Sequence, residues 1–108
     1  MYVADYTNNC IQKFRVNFFK WGTRGSGNGQ FIRPEGISVD RSTGNIFVAD
    51  NGNNRIQEFA NSGRFLLKFG SAGSADGYFD NPWGIAVYPN TGIVYVTDSR
   101  NFRVQVFG

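Results

Sequence analysis

Aspartate recurs at one position of a repeated phrase, at Asp5, Asp50 and Asp98, and arginine follows the last two after five residues. Asp50 with Arg55, and Asp98 with Arg103, each flank a short polar turn; at the first copy Cys10 stands in the arginine's place. A carboxylate and a guanidinium across such a turn are spaced for a charge-assisted pair that fixes local shape. The other chemistry open to the three aspartates is an oxygen-lined site for a hard cation. The chain has no histidine, which removes Ser-His-Asp and Cys-His catalysis and every imidazole-based zinc site. The expectation is structural pairing, with no catalytic residue, no metal and no cofactor.

A second constellation is basic and aromatic. Arg24, Arg33 and Arg100 lie among turn-forming residues, with Tyr6, Tyr78, Trp83 and Phe102 on or near the same connections. Arginines beside aromatics on one surface suit a protein interface. They also suit single-stranded RNA, held by phosphate contacts and base stacking. The glycine-rich run GTRGSGNG, Gly22–Gly29, lacks the Lys-Ser/Thr ending and following helix of a phosphate-binding loop. Its counterpart GSAGSADG, Gly70–Gly77, marks both as connections between repeats. Cys10 has no partner for an internal disulfide and no basic cluster to activate its thiol, so a small packed apolar role is expected.

The elements that must position these groups follow from composition and repetition. A chain of 108 residues is enough for one domain. Its charged fraction of 18%, low against a usual ~25%, accompanies 14 glycines and 11 phenylalanines, a balance of strands and turns. The net charge of +3 is too mild to demand an anionic partner. No apolar run is long enough to span a membrane, and the N-terminus lacks a secretory leader's pattern. The compartment stays open, with the cytoplasm favoured.

The repeat is plain on alignment. YVADYTNNCIQKF from Tyr2, FVADNGNNRIQEF from Phe47 and YVTDSRNFRVQVF from Tyr95 start 45 and then 48 residues apart. FIRPEGISVDRSTGNI from Phe31 matches FDNPWGIAVYPNTGIV from Phe79, and FFKWG (Phe18–Gly22) matches FLLKFG (Phe65–Gly70). The extra residues fall in the turn between Phe14 and Phe18. Each unit divides into four strands. Strand a, Ile37–Val39 or Ile85–Val87, follows a Pro-x-Gly turn; b is Ile46–Ala49 or Val94–Thr97; c is Ile56–Phe59 or Val104–Phe107; d is Phe65–Phe69. Asp40–Gly44, Pro89–Gly92 and Asn51–Asn54 are the turns between them. Continuous apolar runs such as Ile46–Ala49 suit strands covered on both faces. Recurrent Phe14, Phe59, Phe107, Trp21 and Phe69 are expected to pack between units. A β-sandwich needs no register-matched copy of its own halves; four strands repeating every 40–50 residues are the signature of a propeller blade.

These segments resemble the NHL repeat, with Pro34, Gly36, Asp50, Asn53, Arg55, Ile56 and Phe59 at its marked positions, and Pro82, Gly84, Asp98 and Arg103 in the next copy. The resemblance implies an all-β chain of four-stranded antiparallel propeller blades, in a family whose rings usually have six. The chain supplies b-c-d (1–30), then a complete blade (31–78), then a-b-c (79–108), an incomplete ring. Its open edges and end faces invite other chains, so either copies of it assemble, the favoured expectation, or it is a fragment of a larger propeller. The function expected is a non-catalytic binding or scaffold module with protein as its partner. Single-stranded RNA, which proteins joining a tripartite motif to an NHL propeller bind on such a face, is the alternative. A metal-dependent propeller hydrolase or lyase is the remote one, since such sites use histidine or glutamate and the chain offers only Glu35 and Glu58.

Overall fold

A computed structural model describes residues 1–14 and 19–108. Among the described residues ten strands form three antiparallel sheets. The first comprises β1 (Tyr2–Asp5), β2 (Cys10–Lys13) and β3 (Phe19–Trp21), in that order. The second is a full four-stranded meander of β4 (Pro34–Val39), β5 (Ile46–Asp50), β6 (Arg55–Phe59) and β7 (Phe65–Phe69). The third comprises β8 (Pro82–Tyr88), β9 (Ile93–Asp98) and β10 (Arg103–Phe107). These are propeller blades, one complete and two lacking a strand, and they do not close a ring. The Phe14–Phe18 turn expected from the sequence lies outside the described residues.

The a strands begin earlier than expected. Pro34 and Pro82 are not in a turn before the strand; each opens it, paired with Asp50 or Asp98, and the register shifts before Ile37 or Ile85. A proline at the first strand position loses no ladder bond, and the bulge absorbs the Pro-x-Gly segment. The closeness of the blades sets the glycine: a Cβ on Gly36 would stand 2.3 Å from the carbonyl oxygen of Trp83 in the next sheet.

The two cores lie between blades, not within them. Ile46 and Val48 of β5 face the first sheet, joining Ile11, Phe31 and Phe59. Phe47 and Ala49 face the third, joining Ile56, Phe79, Val94 and Val96. All five residues of β5 are therefore buried, as its continuous apolar run predicts. In β9 only Val94, Val96 and Asp98 are buried, while Tyr95 and Thr97 are exposed, because the third sheet is covered on one face. Each core contains an aromatic plug from the connection between blades. Phe31 packs at 5.6 Å from the ring of Phe59, and Phe79 at 5.7 Å from that of Phe107. Trp21–Phe59 and Phe69–Phe107 extend the two clusters as the repeat leads one to expect. Phe14 departs from this pattern and is 45% exposed.

Candidate functional site

The loop end of the blades is held by a repeated polar lock. Asp50 is fully buried at the end of β5. Its Oδ1 accepts the Ile32 backbone N–H at 2.9 Å; its Oδ2 accepts from Asn53 Nδ2 and Arg55 Nε at 2.9 and 2.8 Å, and from Gln57 Nε2 at 3.1 Å. The remaining Arg55 donors reach carbonyls of the preceding interblade loop, at Ser26, Gly27 and Gln30. The lock repeats in the third sheet, where Asp98 accepts from the Asp80 N–H, Asn101, Arg103 and Gln105. Arg103 in turn donates to the carbonyls of Ala75 and Tyr78. Burial alone would raise the Asp98 pKa, but the Asp80 N–H, Asn101 and Arg103 outweigh it and hold the carboxyl below its ordinary value.

The first blade keeps the asparagine and glutamine of the lock, around Asp5, with Cys10 in the arginine's place. Asp5 accepts from Asn8 and Gln12, and the Asn8 side chain is the main cause of its lowered pKa. Cys10 is buried with Sγ 3.9 Å from Asp5 Oδ2, and burial, followed by the Asp5 charge, pushes its thiol pKa up. That favours the unreactive thiol. Among the described residues no three acidic or thiol groups share a site that would hold a metal ion. The aspartates serve their own blades separately.

Beside these locks, four of the seven expected ligand-face residues meet. The left-handed residue before Pro34 is Arg33 (φ 52°), and the second short 3-10 turn, Ser99–Asn101, carries Arg100. Both line a cavity of about 250 Å³ together with Trp83 at the start of β8 and Tyr6 from the first b–c turn. Glu35 and Asn51 complete its wall, with Asn81 beside them. Trp83 and Tyr6 are about half exposed. Among the described residues neither arginine has a carboxylate within ion-pair distance, unlike Arg55 and Arg103. Burial raises the Glu35 pKa, and the Arg33 charge opposes that rise. The arrangement can offer two guanidinium forks and an indole to one ligand group.

The other three expected residues lie elsewhere. Arg24 is exposed on the Gly22–Gly29 connection, pairing through its backbone with Phe31. Tyr78 covers Gly73, and its carbonyl accepts from Arg103 and Gln105. Phe102 is 93% exposed at φ 54°, outside the cavity. Sequence reasoning missed Glu35 and Asn51. Glu35 aligns with Trp83 and so breaks the repeat, a signal that was available; Asn51 gave none, because its Nδ2 is spent on the Pro82 carbonyl of the neighbouring blade.

Comparison with known proteins places this geometry. The NHL repeat profile matches residues 31–59 and 79–107. Protein lin-41 of Caenorhabditis elegans is 51% identical over 48 residues, covering 44% of this chain and 4% of that protein. E3 ubiquitin-protein ligase TRIM71 of Rattus norvegicus is 51% identical over 45 residues, 42% of this chain and 5% of the ligase. B-box type zinc finger protein ncl-1 of Caenorhabditis elegans is 48% identical over 46 residues, 43% of this chain and 5% of its own length. The chain thus matches only about a twentieth of the length of these relatives. An auxiliary nutrient binding protein from Bacteroides thetaiotaomicron superposes with a TM-score of 0.71 over 94% of this chain and 33% of its own, at 14% identity, a likeness of fold alone.

Proposed function

The chain belongs to the NHL-repeat family, and on that premise we propose that it is a non-catalytic propeller module that binds a protein partner at its loop end. The observation that supports this reading is the meeting of Arg33, Arg100, Trp83 and Tyr6 around one shallow cavity. Arginine, tryptophan and tyrosine are the residues that most often carry binding energy at interfaces. The partner group that fits is an acidic side chain beside an apolar one, with its carboxylate on the two arginines and its neighbour on the Trp83 indole. Ligase activity is not carried over from TRIM71, since the shared segment is 5% of that protein.

RNA is the second reading, favoured by the same two arginines beside an exposed indole. The test measures anisotropy of a fluorescent peptide rich in Asp, Glu and Leu, and of a mixed-sequence RNA oligonucleotide, at low and physiological salt. Peptide binding that is lost in Arg33→Glu/Arg100→Glu supports the protein reading. RNA binding that weakens steeply with salt through counterion release, and is lost in the same variant, replaces it with the second. If neither probe is bound, or if binding survives the double substitution, this face is not the site.

A further inference from the structure

The connections that enter and leave the second blade frame a cavity of about 500 Å³. Ser26 of the first connection and Ser71 of the second line it, with Asn53, Arg55 and Lys68 of the blade between them. It shares no residue with the Arg33–Arg100 cavity, and all its walls come from residues 26–72, well inside the chain. Its charge is one-sided. Lys68 is exposed near the end of the edge strand β7. Among the described residues no acidic one lines the cavity, and none lies within ion-pair distance of Lys68.

The buried Arg55 adds a donor. A guanidinium carries five N–H groups. Nε is spent on Asp50, one Nη1 hydrogen on the Ser26 carbonyl, and Nη2 on the carbonyls of Gly27 and Gln30. One N–H on Nη1 is left without a partner among the described residues, on a side chain only 7% exposed. In the third blade Arg103 Nη1 has Asp76 Oδ1 at 3.9 Å. Asp76 aligns with Asn28, which has no charge to offer. The second blade therefore keeps the arginine of that pair and lacks its anion, while Lys68 brings a second cation to the same cavity.

We propose that this cavity is a phosphate site. One phosphate oxygen takes the spare Arg55 N–H, and the Lys68 ammonium and the Ser26 and Ser71 hydroxyls meet the others. Arg55 acts through a single donor, because the rest of its fork is committed to the lock, and Lys68 supplies the unbalanced charge. The phosphate stands where the third blade has the Asp76 carboxylate. Its source is either the free ion or a phosphomonoester.

The experiment is an NMR titration of the intact chain with inorganic phosphate. Chloride at equal ionic strength is the reference, and O-phosphoserine is the second ligand. The expected result is saturable shifts of the Ser26, Ser71 and Ala72 amides with phosphate and none with chloride. Lys68→Gln changes an exposed side chain, and Asn28→Asp installs the residue that the third blade already carries, so both variants keep the fold. Each is expected to weaken phosphate binding about tenfold, the first by removing the charge and the second by filling the anion's place beside Arg55. Tighter binding of O-phosphoserine than of phosphate assigns the site to a phosphomonoester; equal or weaker binding assigns it to the free ion. The absence of saturable shifts, equal shifts with chloride, or unchanged affinity in either variant overturns the proposal.

Discussion

Asn54 Oδ1 accepts the backbone N–H of Asn81 at 2.9 Å, joining the b–c turn of one blade to the start of the next. Asn9 does the same for Arg33 at 2.8 Å. Both asparagines are left-handed, with φ of 51° and 55°, the conformation that asparagine tolerates best after glycine. Asn54→Ala loses the clasp and strains the backbone, and is expected to cost about 2 kcal/mol. Asn54→Gly keeps the conformation and loses only the bond, for about 1 kcal/mol. Urea denaturation of both variants checks the difference.

Phe102 stands in that asparagine slot in the third blade, left-handed at φ 54°. A bulky residue there is strained. Phe102→Asn is expected to stabilise the chain by about 1 kcal/mol, read as a higher thermal midpoint. An unchanged or lower midpoint would show that the ring makes compensating contacts.

The buried Asp50–Arg55 pair and its counterpart Asp98–Arg103, whose arginine is partly exposed, should differ in cost. Arg55→Met leaves a fully buried carboxylate without its counter-charge and removes the Arg55 donors from the Ser26, Gly27 and Gln30 carbonyls, a loss of about 3–5 kcal/mol. Arg103 is 27% exposed, so water replaces part of its role and Arg103→Met should cost less than half as much. Arg55→Lys should not rescue, since an ammonium cannot span the carboxylate and three carbonyls together. Equilibrium unfolding of the three variants is the measurement.

Gly36 and Gly84 occupy the same repeat position but different surroundings. A Cβ at Gly36 meets the Trp83 carbonyl, whereas at Gly84 the nearest atom is Thr97 Oγ1 at 3.1 Å, within its own blade. Gly36→Ala is expected to cost about 2 kcal/mol or more, by pushing the second and third blades apart, and Gly84→Ala under about 1 kcal/mol. Equal costs in a denaturation series would contradict this.

Acid should weaken the fold through Asp98, Asp5 and Asp40. All three have lowered pKa values; for Asp40 the Ser42 hydroxyl is the leading cause. A depressed carboxyl contributes stability above its unfolded pKa of about 3.9, and that contribution is lost as pH falls through the lower folded value. Denaturation midpoints should therefore hold from neutrality to about pH 5 and decline below pH 4. Asp98→Asn should flatten that decline while lowering stability at neutral pH.

What the sequence revealed was local. The strand cores, the polar turns and the Asp50–Arg55 pairing depend on neighbours within a dozen residues, and the repeat displayed them twice. The partners of Arg55 at Ser26, Gly27 and Gln30 lie 25 to 29 residues back, so spacing alone could not disclose them. The Pro-x-Gly segment reads as a turn in the sequence because the reason for the glycine at Gly36, the Trp83 carbonyl, lies in another blade. Arg24, Tyr78 and Phe102 belong to the expected loops but are displaced from the cavity by the particular path of each loop. Loop order fixes which end of the blades a residue occupies, not which neighbour it meets.

Because both cores lie between sheets, the middle sheet takes part in each and the outer sheets in one apiece. Stability then resembles a short chain of nearest-neighbour couplings. Amide protons of β5 and β6 should exchange only when the whole molecule opens, while those of β3 and β10 exchange through fraying of a single end sheet.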